Sequence, residues 1–162
     1  MLRAVTNGGG AFGMPYLLAS SGAAISNTGN TTENVLATVT IPPLLANSIL
    51  IIGSVWSYPN SANNKTARIR LGGIGGTEFL SLALSTTASF RDFRWIQNAN
   101  ALNAQIGGAI NTSAPIGSTS SAHQTSAIDT TNGTTLVFTA QNASAAETFV
   151  LRSYWVALGQ MS

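Results

Sequence analysis

Residues 132–158 read NGTTLVFTAQNASAAETFVLRSYWVAL, and this stretch decides the fold class. Asn132 and Gly133 are a tight-turn dipeptide, because both residues tolerate the left-handed backbone that such turns need. Residues 134–141 and 147–158 are rich in Thr, Val, Leu, Phe, Tyr and Trp, which fit a pleated, half-buried surface. Residues 142–146 are a short loop between them. Two neighbouring strands without a helical period point to a β protein.

The same pattern recurs upstream. Val35, Ala37, Val39 and Ile41 alternate with Leu36, Thr38 and Thr40, until Pro42 and Pro43, which have no N–H to donate, stop the ladder. Residues 48–58 are more continuously apolar through Ile49, Leu50, Ile51 and Ile52, the pattern of a central strand covered on both faces. After turn residues 59–64, Ala67, Ile69 and Leu71 share one side while Thr66, Arg68 and Arg70 share the other. Gly72, Gly73, Gly75 and Gly76 bend the chain into another apolar run at 78–84. Phe90, Asp92, Arg94 and Ile96 then alternate with Arg91, Phe93 and Trp95. Residues 101–124 read as a long loop with room for one short strand. No internal repeat and no amphipathic helical face is present. The expectation is an all-β, antiparallel β-sandwich or jelly roll of about eight strands spanning residues 26–162.

Residues 1–25 differ. They are glycine-rich, lack any period, and carry isolated large side chains, so they read as an extended N-terminal docking arm. Leu2, Arg3, Phe12, Met14, Tyr16, Leu17 and Leu18 are its candidate contacts with a neighbouring protein. A secretory leader is not expected, since Asn7, Gly8, Gly9, Gly10, Gly13 and Pro15 interrupt the apolar stretch.

Composition narrows the function. The 162 residues include 7 Lys plus Arg and 5 Asp plus Glu, against 18 Ser, 19 Thr and 14 Asn. The surface is therefore hydroxyl-rich and nearly uncharged. The sequence pI of about 9.5 reflects scarce carboxylates at a net charge of only +2. The cations Arg3, Lys65, Arg68, Arg70, Arg91, Arg94 and Arg152 are scattered, whereas phosphate binding needs a cluster, so no nucleic-acid partner is expected. The absence of cysteine excludes thiolate chemistry. The longest apolar runs are far shorter than the roughly 20 residues of a membrane helix, so no membrane insertion is expected.

Catalytic raw material is scarce as well. His123 is the sole histidine and sits in a low-complexity loop, six residues before Asp129. No nucleophile has a recognisable setting beside it. The acids Glu33, Glu78, Asp92, Asp129 and Glu147 are evenly spread and match no metal spacing. Asp129 reads as a turn former, and Glu33 and Lys65 as ordinary surface charges. The glycines at 72–76 lack the helix and Lys-Ser/Thr pair of a phosphate loop. We therefore expect no enzyme, no cofactor and no metal. Trp56, Tyr58, Trp95, Tyr154 and Trp155 are the candidate glycan or interface aromatics, since such rings serve sugar stacking and subunit contact alike.

Residues 26–43 (SNTGNTTENVLATVTIPP), 56–73 (WSYPNSANNKTARIRLGG) and 128–141 (IDTTNGTTLVFTAQ) together resemble a group of small structural proteins of tailed bacteriophages. The resemblance implies a jelly-roll module that trimerises on the exterior of the virion after synthesis in the host cytoplasm. A capsid decoration, cement or head-fibre protein would dock its arm on the major capsid protein or another virion protein. The alternative it implies is a tail-fibre or baseplate tip that recognises a host surface glycan. The shared stretches are scaffold and turns, so no functional residue is carried over from them.

Overall fold

The computed structural model describes residues 15–111 and 122–160, and these contain eleven β-strands and no helix. They are β1 (Tyr16–Ser21), β2 (Ile25–Thr28), β3 (Asn34–Ile41), β4 (Ile49–Ser57), β5 (Lys65–Leu71), β6 (Thr77–Leu84), β7 (Ser89–Asn98), β8 (Gln105–Gly107), β9 (Gln124–Ser126), β10 (Thr134–Asn142) and β11 (Thr148–Gly159). The larger sheet runs β1-β11-β4-β7-β8-β9, with β2 also paired to β11; the smaller runs β3-β10-β5-β6. Every pairing is antiparallel. The fold is the all-β sandwich that the sequence predicts.

The alternation of β5 is borne out: Lys65, Ala67, Ile69 and Leu71 are buried, and Thr66, Arg68 and Arg70 lie on the other face. Their cross-strand partners Asn142, Ala140, Phe138 and Leu136 on β10 face inward with them. Between the sheets, Trp56 stacks on Phe90 at 6.0 Å and packs against Phe149 at 5.4 Å, while Tyr58 meets Phe149 edge-on at 5.0 Å. The indole N–H of Trp56 donates to Ser54 Oγ at 2.8 Å, which satisfies the one polar atom this large side chain brings inside.

Three details depart from the sequence reading. The register of β3 against β10 shifts between Ala37 and Val35, so Leu36 occupies a bulge. A bulge breaks the period of two, which turns Leu36 inward with Ala37 and leaves Val35 exposed. Secondly, Tyr16, Leu17 and Leu18 belong to β1 rather than to a free arm, and β1 with β2 lines one edge of β11 from Leu158 to Thr148. An irregularity at Leu18 and the bend at Gly22–Ala24 hide their strand period. The sandwich thus includes residues 16–25, which the sequence reading assigns to the arm; Leu2, Arg3, Phe12 and Met14 lie outside the described residues. Thirdly, the segment read as a long loop holds β8, the one short strand it has room for, and leads into a second, β9; β1, β2 and β9 raise the count from about eight to eleven. Gln105 fixes this region: its amide donates to Asn98 Oδ1 and to the Ile128 carbonyl at 3.0 Å each, and its oxygen accepts from Ile128 N at 3.1 Å. Buried amides are satisfied here by loop backbone, which no hydrophobic pattern reveals.

Candidate functional site

Successive residues of a strand point to opposite faces, so burial of Leu50, Ile52, Ser54 and Trp56 on β4 turns Ile49, Ile51, Gly53, Val55 and Ser57 outward. Across the ladder, Gly53 stands between Trp155 of β11 and Phe93 of β7, Ile51 between Ala157 and Trp95, and Val55 between Ser153 and Arg91. Leu17 extends the second row, because it pairs with Ala157. The outer face of the larger sheet is therefore a continuous apolar surface. Phe93 is 65%, Trp95 48%, Val55 42% and Trp155 37% exposed, far more than large apolar side chains of a sandwich core.

Gly53 shapes the centre of this face. A Cβ at that position would lie 2.3 Å from Trp155 Nε1, so only glycine lets the indole lie flat on the sheet. The ring then reaches Phe93 at 5.9 Å between centroids. A hollow of about 510 Å³ remains, bordered by Trp155, Phe93, Trp95, Val55, Arg91 and Asp92. All five acids, Asp92 on its border included, are already engaged: Glu33 and Glu78 with Arg68 and Arg70, Asp92 with Arg94, Glu147 with Lys65, and Asp129 with the backbone and hydroxyl of Thr131. Among the described residues Arg91 and Arg152 stand in no ion pair. Both lie at the Val55–Ser57 end of the face, where Arg152 Nε donates to Ser57 Oγ at 2.6 Å.

The aromatics proposed from sequence divide cleanly. Trp95 and Trp155 are on the face. Trp56 and Tyr58 are buried in the core and reach no ligand, a correction whose cause is their register with Phe90, Phe138 and Phe149 between the sheets. Tyr154 is half-buried and packs on Phe138 at 4.9 Å, on the inner side. Phe93, the most exposed large apolar residue described, was missed as a site candidate. Alternation with Asp92 and Arg94 does not tell which side is outer; those two face the interior as a bidentate ion pair, both contacts 2.5 Å, and that turns Phe93 outward. Arg94 also donates to the Phe79 carbonyl.

Lys65 and Glu33 are not ordinary surface charges. Lys65 is fully buried on β5, and Glu33 accepts from Arg70 Nε at 2.9 Å and Nη2 at 3.0 Å, and from Thr139 Oγ1 at 2.5 Å. Burial pushes the Glu33 carboxyl up, but the hydrogen bonds from Arg70 and Thr139 and the charges of Arg68 and Arg70 outweigh it and hold the group below its ordinary range. His123 is exposed, and Asp129 accepts from Thr131 N at 2.9 Å as a turn former. No metal-binding cluster of acids and histidine occurs among the described residues. What the face offers is apolar area, flat rings and two cations, which suit docking and stacking.

No protein-family model and no curated protein matches the sequence. Among solved structures, the chain is similar to one of infectious bursal disease virus strain Gx, at 13% identity and a TM-score of 0.44, covering 92% of this chain and 32% of that one. It is similar also to the infectious bursal disease virus VP2 subviral particle, at 14% identity and a TM-score of 0.39, over 91% and 32%. A structure described as "CBM4 structure and function" matches at 10% identity and a TM-score of 0.32, over 86% and 92%. The chain thus spans about a third of the length of the viral chains it matches.

Proposed function

We propose that the chain is a structural protein on the exterior of a tailed-bacteriophage virion. It is a capsid decoration, cement or head-fibre module that trimerises through the outer face of β11, β4 and β7 and docks through its N-terminal residues on the major capsid protein or another virion protein. The observation that carries this reading is the mismatch between β4 and its surroundings. Its unbroken apolar run is the pattern of a strand covered on both faces, yet the sandwich covers only one. Neighbouring copies gathered about a threefold axis, each presenting this face to the next, supply the missing cover. An interface with an aromatic centre and charges kept to its rim fits the general anatomy of subunit contacts. The bacteriophage setting rests on the resemblance of residues 26–43, 56–73 and 128–141.

Sedimentation velocity of the full chain tests the association, with a trimer expected. Incorporation tests the location: removal of residues 1–14 leaves β1 in place, so the truncated protein should still fold and trimerise but should be lost from particles. Undiminished incorporation, or a monomer at all concentrations, overturns the reading.

The hollow beside Arg91 favours one alternative, a tail-fibre or baseplate tip whose Trp95, Phe93 and Trp155 stack on an acidic host glycan. Soluble protein would then adsorb to host cells and compete with infection.

A further inference from the structure

Lys65 begins β5 and Asn142 ends β10, and the two are directly opposite in the antiparallel ladder, both facing inward. Directly opposed residues hold their Cβ atoms about 5 Å apart, within easy reach of a lysine side chain. The next strand is entered through Glu147, whose Oε2 lies 3.3 Å from Lys65 Nζ. Glu147 also accepts from the Ser61 hydroxyl and from Asn63 Nδ2, and Lys65 Nζ donates to Ser61 Oγ at 2.6 Å. The Asn142 amide nitrogen is held by two backbone carbonyls, those of Asn27 and Glu147, at 3.1 Å each.

This cluster is polar, buried at Lys65, Asn142 and Glu147 but open towards solvent at Asn63, and incompletely satisfied. Lys65 has no exposed surface, Asn142 is 1% exposed, and the walls include Tyr58, whose ring centre lies 5.8 Å from the ammonium. Two buried atoms accept no hydrogen bond: Asn142 Oδ1, and Glu147 Oε2, which has only its ion pair. Both are acceptors, so each requires a proton donor. Buried orphans are rare enough to require a reason, and a buried ion pair is costly to retain.

We propose that Lys65 and Asn142 join in an intramolecular isopeptide bond, formed by the chain itself with Glu147 as the proton carrier. The Lys65 ammonium gives one proton to Glu147 Oε2, and the new carboxyl O–H donates to Asn142 Oδ1, pairing the two orphans. The freed lone pair of Nζ attacks Asn142 Cγ to give a tetrahedral adduct. The Cγ–Nδ2 bond then breaks as Nδ2 takes a second proton from Nζ, and ammonia leaves. Ammonia accepts the proton carried by Glu147 and departs as ammonium, which restores the carboxylate. One ammonium and one carboxamide become one secondary amide and one ammonium ion, with no oxidant or co-reactant. Glu147 is the carboxylate placed beside the Lys65 ammonium, 3.3 Å from Nζ, and is therefore the acceptor within reach of the first proton.

The test is the intact mass of the purified full chain under denaturing conditions, followed by a protease map. The expected mass is that of the sequence less one ammonia, with a branched peptide joining the segments of Lys65 and Asn142. E147Q and K65M should retain the full mass of their sequences, with folding of each checked by cooperative thermal unfolding. N142D should lose water instead and give the same product mass as the wild type, which keeps the test open if the other variants fail to fold. A wild-type chain at full mass overturns the proposal. So does an ammonia loss that maps elsewhere, such as cyclisation at Asn132–Gly133.

Discussion

Replacing Phe93 by serine separates association from folding. The Phe93 side chain is 65% exposed on the outer face of β7, so its loss removes little from the core. A phenylalanine of about 200 Å² with two-thirds of its surface free would bury about 130 Å² more in a subunit contact, or ~3 kcal/mol per copy at ~25 cal/mol per Å². That corresponds to a roughly 100-fold weaker association at each contact. The monomer's own stability should change by no more than about 0.5 kcal/mol, as at other surface sites. Sedimentation velocity over a concentration series reads the first quantity and urea unfolding of diluted protein the second. Gly53→Ala is the companion, because a Cβ there displaces the Trp155 indole without touching the core. If F93S associates as the wild type does, the outer face is not the contact surface and the argument from β4 fails.

Other consequences are local. Gly133 has a φ of 80°, and a Cβ there would lie 2.6 Å from the Ile41 carbonyl oxygen; G133A should lower stability by about 1–3 kcal/mol in urea unfolding, and an unchanged midpoint would count against the turn. Asp92→Leu leaves Arg94 inside without its partner, so it should cost about 3–5 kcal/mol, and a loss within about 1 kcal/mol would show that water already reaches the pair. Glu33 is held below its ordinary value of 4.5 in the folded state, so its contribution is complete above that value and disappears as the pH falls through the lower folded value. The urea midpoint should therefore decline on acidification below about 4.5, and more gently in E33Q; equal slopes in the two proteins would dismiss the Glu33 contacts as a source.

The long strands were legible because each carries its own pattern. Runs of β-branched and aromatic residues placed β3, β4, β5, β6, β7, β10 and β11, and turn chemistry separated them. The short strands carry too few residues to show a period, and three lie at sheet edges or extend them. β1 and β2 are recruited by β11, a 12-residue strand with one side to cover, and that requirement is tertiary. The site was half legible for a related reason. Trp95 and Trp155 are visible as aromatics in strands, but Trp56 is an equally visible aromatic whose register sends it inside. Only pairing decides between them. Lys65 shows the same limit, since a lysine beginning a strand after a polar turn looks solvated until Asn142 and Glu147 are brought against it.

The inversion of β7 ties the face to the fold. A slip of one residue would carry Phe93 and Trp95 into the core together with Arg91, and would expel Phe90, Asp92, Arg94 and Ile96, so hydrophobic burial alone does not choose between the two registers. The observed register is held from both sides instead. Gly53 opposite Phe93 makes room for Trp155 outside, and Arg94 inside donates to the Phe79 carbonyl while clasping Asp92. The ion pair therefore acts as a marker of which side faces inward. Replacing both Asp92 and Arg94 by leucine should leave stability unchanged or raise it, as apolar substitutes for buried pairs often do. It should also make β7 apolar on both faces and erase that marker. The double variant is expected to unfold at or above the wild-type urea midpoint but to aggregate on refolding; clean refolding to the native assembly would show that Gly53 and the neighbouring strands fix the register without the pair.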